Sequence, residues 1–549
     1  MKQTNVLALI LLVLSLGINL PLQAEWGRTA EDYIRLPLYQ DVHICSDGNG
    51  GCWATGNGVG LCHVDRNGNL TWGDEPFFLQ PRHGFNQKPV MADNGDVIVA
   101  MDVYSDGDTI PDIYLQRVNI DQEFLWGDNG IPLDTSNILK GVGTACKGPV
   151  DDTYLIKWGR LLDGVRLQLV NGNGDFLWAD DSTALNRYPS RGNTYMTLSS
   201  DRCVIAMHQT EVDDEGDMNV LKINSDGEIL WSEKYIIVTG AMRRQYLRDI
   251  ESDREGGAIL IYESDSLESV DDSVRYYGIK AMRISGDGDS LWTRQLYERE
   301  VLRGSETFGQ IKPILNYAGS GRFFIAWADY PHAFRVVALD IDGEYLWDEP
   351  VDVILTQGGY GNIDAVDSDN SVCYVWQDTD TDREILQIQF GQRIGLDGER
   401  LWGDRGRAIQ AKPVWYSSIT SDGNGGVITV VTMAYPTIQM INRNGEIGVV
   451  LETGVDDDFD KSKSYLPYPK LFIYPNPCNS QFRIEYNTNI PGETFNYGIY
   501  NLLGRKIRTG IMRGGHLRIE DLSRFSSGEY ILRLQSPRMT VSTRFLLIK

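Results

Sequence analysis

Hydrophobic positions along this chain come in short runs rich in β-branched and aromatic residues, broken by Gly, Asn and Asp. Residues 408–441 show the arrangement most plainly. Ala408-Ile409-Gln410-Ala411, Tyr416-Ser417-Ser418-Ile419-Thr420, Val427-Ile428-Thr429-Val430-Val431-Thr432 and Thr437-Ile438-Gln439-Met440-Ile441 predict four successive strands. The turn Ser421-Asp422-Gly423-Asn424-Gly425-Gly426 lies between the second and third. Such residues let a chain reverse between paired strands. No stretch sustains an apolar period of about 3.6 residues, so helices are not expected.

The runs are organised by a recurring phrase, Gly-x-x-Leu-Trp. It ends at Trp178, Trp231, Trp292, Trp347 and Trp402, with its Gly at 174, 227, 288, 343 and 398. Gly68 to Trp72 and Gln122 to Trp126 are near copies, Gly445 to Val449 is a decayed one, and Trp26-Gly27 is a fragment. From Trp26 to Val449 the spacings are 46, 54, 52, 53, 61, 55, 55 and 47 residues. Units of this length suit a four-stranded propeller blade better than a helical repeat. The expected fold is therefore all-β, with an eight-bladed β-propeller over 25–455. Seven blades is the alternative, because the short first and last units could share one. The repeated Gly is expected at a turn with positive φ, and the repeated Trp between neighbouring sheets, covering faces that a single sheet leaves open. A ring of sugar-stacking aromatics is the competing reading of those Trp. Strands ending Trp327-Ala328-Asp329 and Trp376-Gln377-Asp378 recur, as does Tyr114-Leu115-Gln116-Arg117. Together these resemble a repeat of secreted bacterial propellers, which implies the fold but no single activity.

Charge divides the chain. After residue 464, twelve basic residues face five acidic ones, a net +7, so with Lys2 the segment 25–463 carries −33 of the chain's −25 total. An acidic, Pro-containing linker is expected at 456–466. Beyond it, alternating runs such as Phe482–Tyr486, Tyr497–Tyr500 and Tyr530–Leu534 predict a small β-sandwich of the immunoglobulin-like kind over 467–549. Tyr474-Pro475-Asn476-Pro477, then Asn501 with Gly504-Arg505, then Gly528 with Tyr530, and finally Lys549, resemble the type A C-terminal sorting domain of the type IX secretion system. The resemblance implies export and recognition by an outer-membrane translocon, followed by release or attachment at the cell surface; none of these residues would be catalytic.

Residues 1–24 read as a signal peptide: Lys2, an apolar run from Val6 to Leu16, and Ala24 before Glu25. No later stretch is apolar enough to span a bilayer, so no transmembrane segment is expected after cleavage. Delivery is expected through the periplasm. Gly and Trp are abundant, 57 and 13 of 549 residues, as many turns and large anchors require. A surface this acidic repels phosphate backbones, which argues against nucleic-acid partners. The seven Cys form no CxxC pair; Cys45 and Cys52 flank a turn and could face each other across a hairpin, or sit as small buried hydrophobes.

Chemistry is sparse. There is no HExxH, Walker loop or GxSxG, and the six His are never at metal-pair spacing. His43 and His63 read as ordinary strand residues. Acidic loops are the suggestive feature. Asp102, Asp106, Asp108 and Asp112 partly resemble a calcium loop, and Asp378, Asp380 and Asp382 offer carboxylates at alternate positions. Tyr104 and Ile113 stand where ligands would be, and the second loop lacks its Gly. Solvated hairpin tips are the plainer reading; no other cofactor is expected. The expected role is a secreted or cell-surface binding or structural module whose ligand is a protein or polysaccharide. The alternative is an extracellular polysaccharide lyase or glycoside hydrolase with its site in the propeller funnel.

Overall fold

The computed structural model describes residues 26–450 and 471–547, apart from 81–82, 106, 161–163, 179–193, 211–216, 232–234, 237–244, 267–273, 303–312, 330–332, 354–362, 369, 381–384, 412–415, 433–434, 475–480, 487–493, 502–504, 514–517, 522–524 and 536–539. The signal segment 1–24, the linker 456–466, Asp106, Asp382, Pro475, Asn476, Pro477, Cys478, Gly504 and Lys549 lie outside the described residues. Contacts divide the chain into two units, 1–459 and 460–549. Among the described residues every regular element is a strand, and no helix is long and apolar enough to cross a membrane.

The first unit is propeller-like, built of small antiparallel sheets. Eight occur among its described residues, numbered here one to eight by their first strands: Tyr39–Ser46, His83–Met91, Lys140–Lys147, Thr194–Leu198, Gln245–Ser252, Ile314–Gly319, Ile363–Ser368 and Tyr416–Ser421. Seven have four described strands and sheet three has three. Sheet eight takes its fourth strand, Ile34–Arg35, from the chain's start, paired with Thr437–Ile441. The sequence reading of 408–411 as the first strand of the last unit is corrected accordingly. Arg407–Gln410 is the outer strand of sheet seven, so each sheet begins later in the repeat than its Trp suggests. The first and last fragments do share a sheet, and eight sheets still occur among the described residues of the first unit.

The core is a series of seams between consecutive sheets. Sheets one and two bury Trp53, Leu61, Val97 and Val99 together, and sheets seven and eight bury Cys373, Val375, Trp402 and Val427. The eighth sheet returns to the first through Trp26, Ile44, Ala54, Val430 and Ile438. First strands also bond across seams: the Val42 and Ile44 amides donate to the hydroxyls of Thr432 and Ser418. Those amides lie on a strand edge, where an unpaired donor would be costly.

The repeated phrase is the clasp between sheets. Trp26, Trp72, Trp126, Trp178, Trp231, Trp292, Trp347 and Trp402 each donate their indole N–H to a backbone carbonyl 40 to 55 residues further on. Trp26, Trp126, Trp178, Trp231 and Trp402 are buried and the other three half-buried. The turn that receives the indole carries the next copy's Gly. Gly227, Gly343 and Gly445 have φ of 84°, 77° and 78°, and a Cβ on any of them would lie within 2.9 Å of the preceding Trp. Gly serves twice here, for its left-handed backbone and for the space it leaves an indole. At the decayed last copy, Trp26 supplies the ring that Val449 does not.

The hairpin disulfide expected as one option between Cys45 and Cys52 is not formed; both are free. Cys45 pairs with Trp53 and Cys52 with Ser46, one step out of phase. Successive strand residues face opposite sides, so the two thiols point into different seams, Cys52 toward sheet eight and Cys45 toward sheet two.

Among its described residues the second unit has a three-stranded and a four-stranded antiparallel sheet. Of those residues Tyr497, Ile499, Tyr530, Leu532, Leu534, Phe545 and Leu547 are buried.

Candidate functional site

What recurs in the first unit is consumed by architecture. Besides the Gly and Trp, the repeated Gln-Arg pair is structural. Gln392 accepts the amides of Trp402 and Arg393, while Arg393 bonds Ser371 and the Arg443 carbonyl of the next sheet. Arg117 likewise joins Asp96 at 2.9 Å to the Gly172 carbonyl. His63 stands at the same place in sheet one, bonded to Asp47 at 3.0 Å and Thr71 at 3.1 Å.

A non-repeated polar group spans the first strands of sheets one and two and the second strand of sheet two. Backbone irregularities build it: the register slips between Tyr39 and His43 and again between Phe85 and Lys88. Asp41 and Asn86 occupy these bulges at φ of 49° and 57°. A bulge re-aims side chains that regular alternation would bury in a seam. The Lys88 ammonium donates to His43 Nε2 at 2.7 Å. Asn86 donates to Asp102 at 3.2 Å and to the Val142 carbonyl, and Asp102 accepts the Val142 amide at 2.8 Å. Burial, with Lys88 nearby, lowers His43 to about 4, so its ring is neutral at pH 7. Burial lowers Lys88 to about 8, against the pull of Asp102 and Asp41. Burial raises Asp102 to about 6, although the Val142 and Asn86 bonds oppose it. The result is a lysine that can take up or release a proton near neutrality, held by an uncharged imidazole.

The expected calcium ligands fall differently. Asp102 is a buried strand residue already bonded to Val142 and Asn86. Asp108 is exposed, its amide bonded to the Ser105 carbonyl. Asp112 begins the neighbouring strand, 3.9 Å from the Lys140 ammonium. That ammonium is fully buried, 3.8 Å from Asp134 and within reach of the Ser136 and Ile138 carbonyls. Asp134 also accepts from Trp158 at 2.8 Å and Arg160 at 2.6 Å. Burial pushes Asp134 up, but these bonds and those from Ser136 outweigh it and hold it at about 2. A lysine thus supplies the positive charge among these carboxylates. No signal in the 102–112 segment could have announced a partner so far along the chain. Of the other loop, Asp378 and Asp380 lie on the strand Ser371–Asp380. Among the described residues no group of three or more His, Cys, Asp or Glu is placed to hold a metal.

A second polar group in sheet five was not foreseen. Glu263 accepts Arg248 at 2.6 Å and the Tyr277 hydroxyl. Burial and the adjacent carboxylate raise the Tyr277 phenol far above its ordinary value. A phenol whose proton is held this way is a poor base, so the group reads as a clasp.

In the second unit Asn501 and Arg505 close a turn through two bonds, Asn501 N–H to the Arg505 carbonyl and Arg505 N–H to Asn501 Oδ1. Tyr530 is buried, stacked on Phe545 at 5.7 Å, and donates to the Ser526 carbonyl. Tyr474 ends the strand Leu471–Tyr474, and Gly528 begins Gly528–Gln535. Residues 472–549 match the model of a secretion system C-terminal sorting domain. This domain implies interaction with the type IX secretion machinery and an exported protein, secreted or at the cell surface. No curated protein matches the chain. Among solved structures, prolyl oligopeptidase B from Galerina marginata is similar at 11% identity and a TM-score of 0.39, over 74% of this chain and 56% of that one. The chain thus spans little more than half the oligopeptidase's length. The BP39L lectin from Burkholderia pseudomallei is similar at 9% identity and a TM-score of 0.43, over 67% of this chain and 98% of the lectin. The WD40 domain of SCAP from fission yeast is similar at 10% identity and a TM-score of 0.40, over 76% of this chain and 94% of that domain.

Proposed function

We propose that the chain is an exported eight-bladed β-propeller that binds an extracellular ligand, with an immunoglobulin-like sorting domain as its address. The supporting observation is the non-repeated group Asp41, His43, Asn86, Lys88 and Asp102, gathered by bulges on the first strands of sheets one and two against the second strand of sheet two, while the repeated polar residues are used in clasps. The ligand is a protein or polysaccharide rather than a polyanion, because the first unit repels negative charge. Export runs through the periplasm, led by the segment 1–24. Release or anchoring of the propeller follows recognition of the tail. A second reading, a polysaccharide lyase or hydrolase, draws on Lys88, whose lowered pKa would suit a base.

The test is retention and cleavage on a panel of polysaccharides and surface-protein extracts, comparing the native chain with Lys88→Met. Retention lost in the variant, with no new reducing or unsaturated ends, supports binding. Product formation by the native chain that is lost in the variant establishes the enzyme instead. Retention unchanged by Lys88→Met excludes this site. Deleting 464–549 is expected to leave the propeller folded but stranded in the periplasm; normal surface delivery would refute the address.

A further inference from the structure

The seam where sheet eight meets sheet one is open at its surface. A groove of about 430 Å³ lies there, its wall including Arg35, Tyr39, Asp74, Glu75, Phe78 and Tyr435. This volume is within the range of small-ligand sites. Tyr39, Phe78 and Tyr435 are 65%, 57% and 55% exposed, in a unit that buries Trp26, Trp53, Trp327, Trp376 and Trp402 almost completely. The Arg35 guanidinium lies 3.9 Å from the Tyr435 ring centroid. The carboxylates of Asp74 and Glu75 are exposed on the segment leading to Phe78. None of these six residues belongs to the repeated phrase.

We propose that this groove binds a neutral saccharide. A sugar ring offers an apolar C–H face and a rim of hydroxyls. Flat exposed rings match the face, and their burial drives association. Carboxylates accept from the hydroxyls and a guanidinium donates to them, so both kinds of rim contact are present in one groove. One cation against two carboxylates, on a unit of −33, repels uronate and sulfated chains and selects uncharged ones. The inference is separate from the Lys88 group, which lies on the seam between sheets one and two.

The experiment is native affinity electrophoresis of the whole chain through gels containing mannan, mixed-linkage β-glucan or dextran, with polygalacturonate and alginate as charged comparisons. At least one neutral polymer should retard the protein while the polyuronates do not. The exposed-site variants Tyr39→Ala and Phe78→Ala should each weaken retardation about tenfold, with an unchanged melting temperature showing that the fold is intact. Lys88→Met should leave this retardation unaltered, which keeps the two sites distinguishable. No retardation by any neutral polymer, retardation indifferent to both aromatic variants, or preferential binding of polyuronates would overturn the proposal. So would a native dimer that Tyr39→Ala and Phe78→Ala convert to monomer, because the rings would then serve a second copy of the chain.

Discussion

Removing one clasp should reveal how much the ring depends on it. Trp402 is 1% exposed, donates to the Arg443 carbonyl at 3.1 Å, and would lie 2.8 Å from a Cβ placed on Gly445. Trp402→Ala removes a large buried ring and should cost about 3–5 kcal/mol. The lost indole bond adds little more than about 1 kcal/mol, because the Arg443 carbonyl keeps Arg393 as a donor. Trp402→Phe keeps most of the packing and should cost about 1–2 kcal/mol. Gly445→Ala forces a side chain into a φ of 78° and against the indole, for about 1–3 kcal/mol. Combined with Trp402→Ala, the Gly445→Ala penalty should shrink, since the indole it collides with is gone. Trp72 provides the contrast. It is half-buried, its bond to Ile120 is exposed, and Gln122 stands in place of the next Gly. Trp72→Ala should cost less than half as much as Trp402→Ala. Tryptophan fluorescence during urea unfolding is the assay, because all 13 Trp precede residue 416 and report the first unit only. Equal losses at the two sites, or a Trp402→Ala loss below about 1 kcal/mol, would refute the clasp, as would strict additivity with Gly445→Ala.

Stability of the first unit should fall as pH rises from about 4 to 6. Asp102 is raised from an ordinary carboxylate value to about 6, so across that window the folded chain holds a proton the unfolded chain has released. His43, lowered to about 4, acts the other way between about 4 and 6.5, because there the unfolded chain is protonated and the buried ring is not, and it offsets much of the Asp102 effect. The net fall therefore rests on Asp249, which burial raises to about 7 against the Leu315 and Ile250 amides that bond it. A higher melting temperature at pH 5 than at pH 7.5 is expected, with Asp102→Asn narrowing the gap; no change with pH would contradict it. Melts in millimolar Ca²⁺ and in excess chelator, at constant ionic strength, should coincide, since Asp102 is engaged by Val142 and Asn86 and Asp112 lies beside Lys140. A calcium-dependent rise of several degrees would point to a site. Mass spectrometry after alkylation without reductant should find Cys45 and Cys52 both modified; a linked peptide pair would overturn the strand register.

Periodic features were legible in the sequence, and pairings across the ring were not. Eight near-copies of one phrase disclosed the repeat length, the turn Gly and the anchoring Trp, because each unit must solve the same packing problem. The starting point of a sheet within the repeat was hidden, since a Trp-to-Trp count is the same for any starting strand. Cys45 and Cys52 failed for a related reason. Closeness across a turn does not tell which face a side chain takes, and one step of register sends them to different seams. In the tail the motif was readable because Asn501 and Arg505 close a local turn, and local chemistry survives in sequence order.

The candidate site escaped for the opposite reason: it is made of exceptions. His43 and Lys88 belong to no motif, Asp102 was read only as a calcium-loop carboxylate, and the contacts that give them chemistry join four strands and three sheets. The calcium reading of 102–112 shows the same limit from the other side. Alternating carboxylates are a cation signal, and beside one of them, Asp112, stands the ammonium of Lys140 on the next sheet. In a ring of repeated sheets, a charge is answered as easily by a neighbouring sheet as by its own loop. The sites proposed for this chain therefore rest on departures from the repeat, on the first strands of sheets one and two and at the seam of sheets eight and one, where the sequence had pointed to the acidic loops.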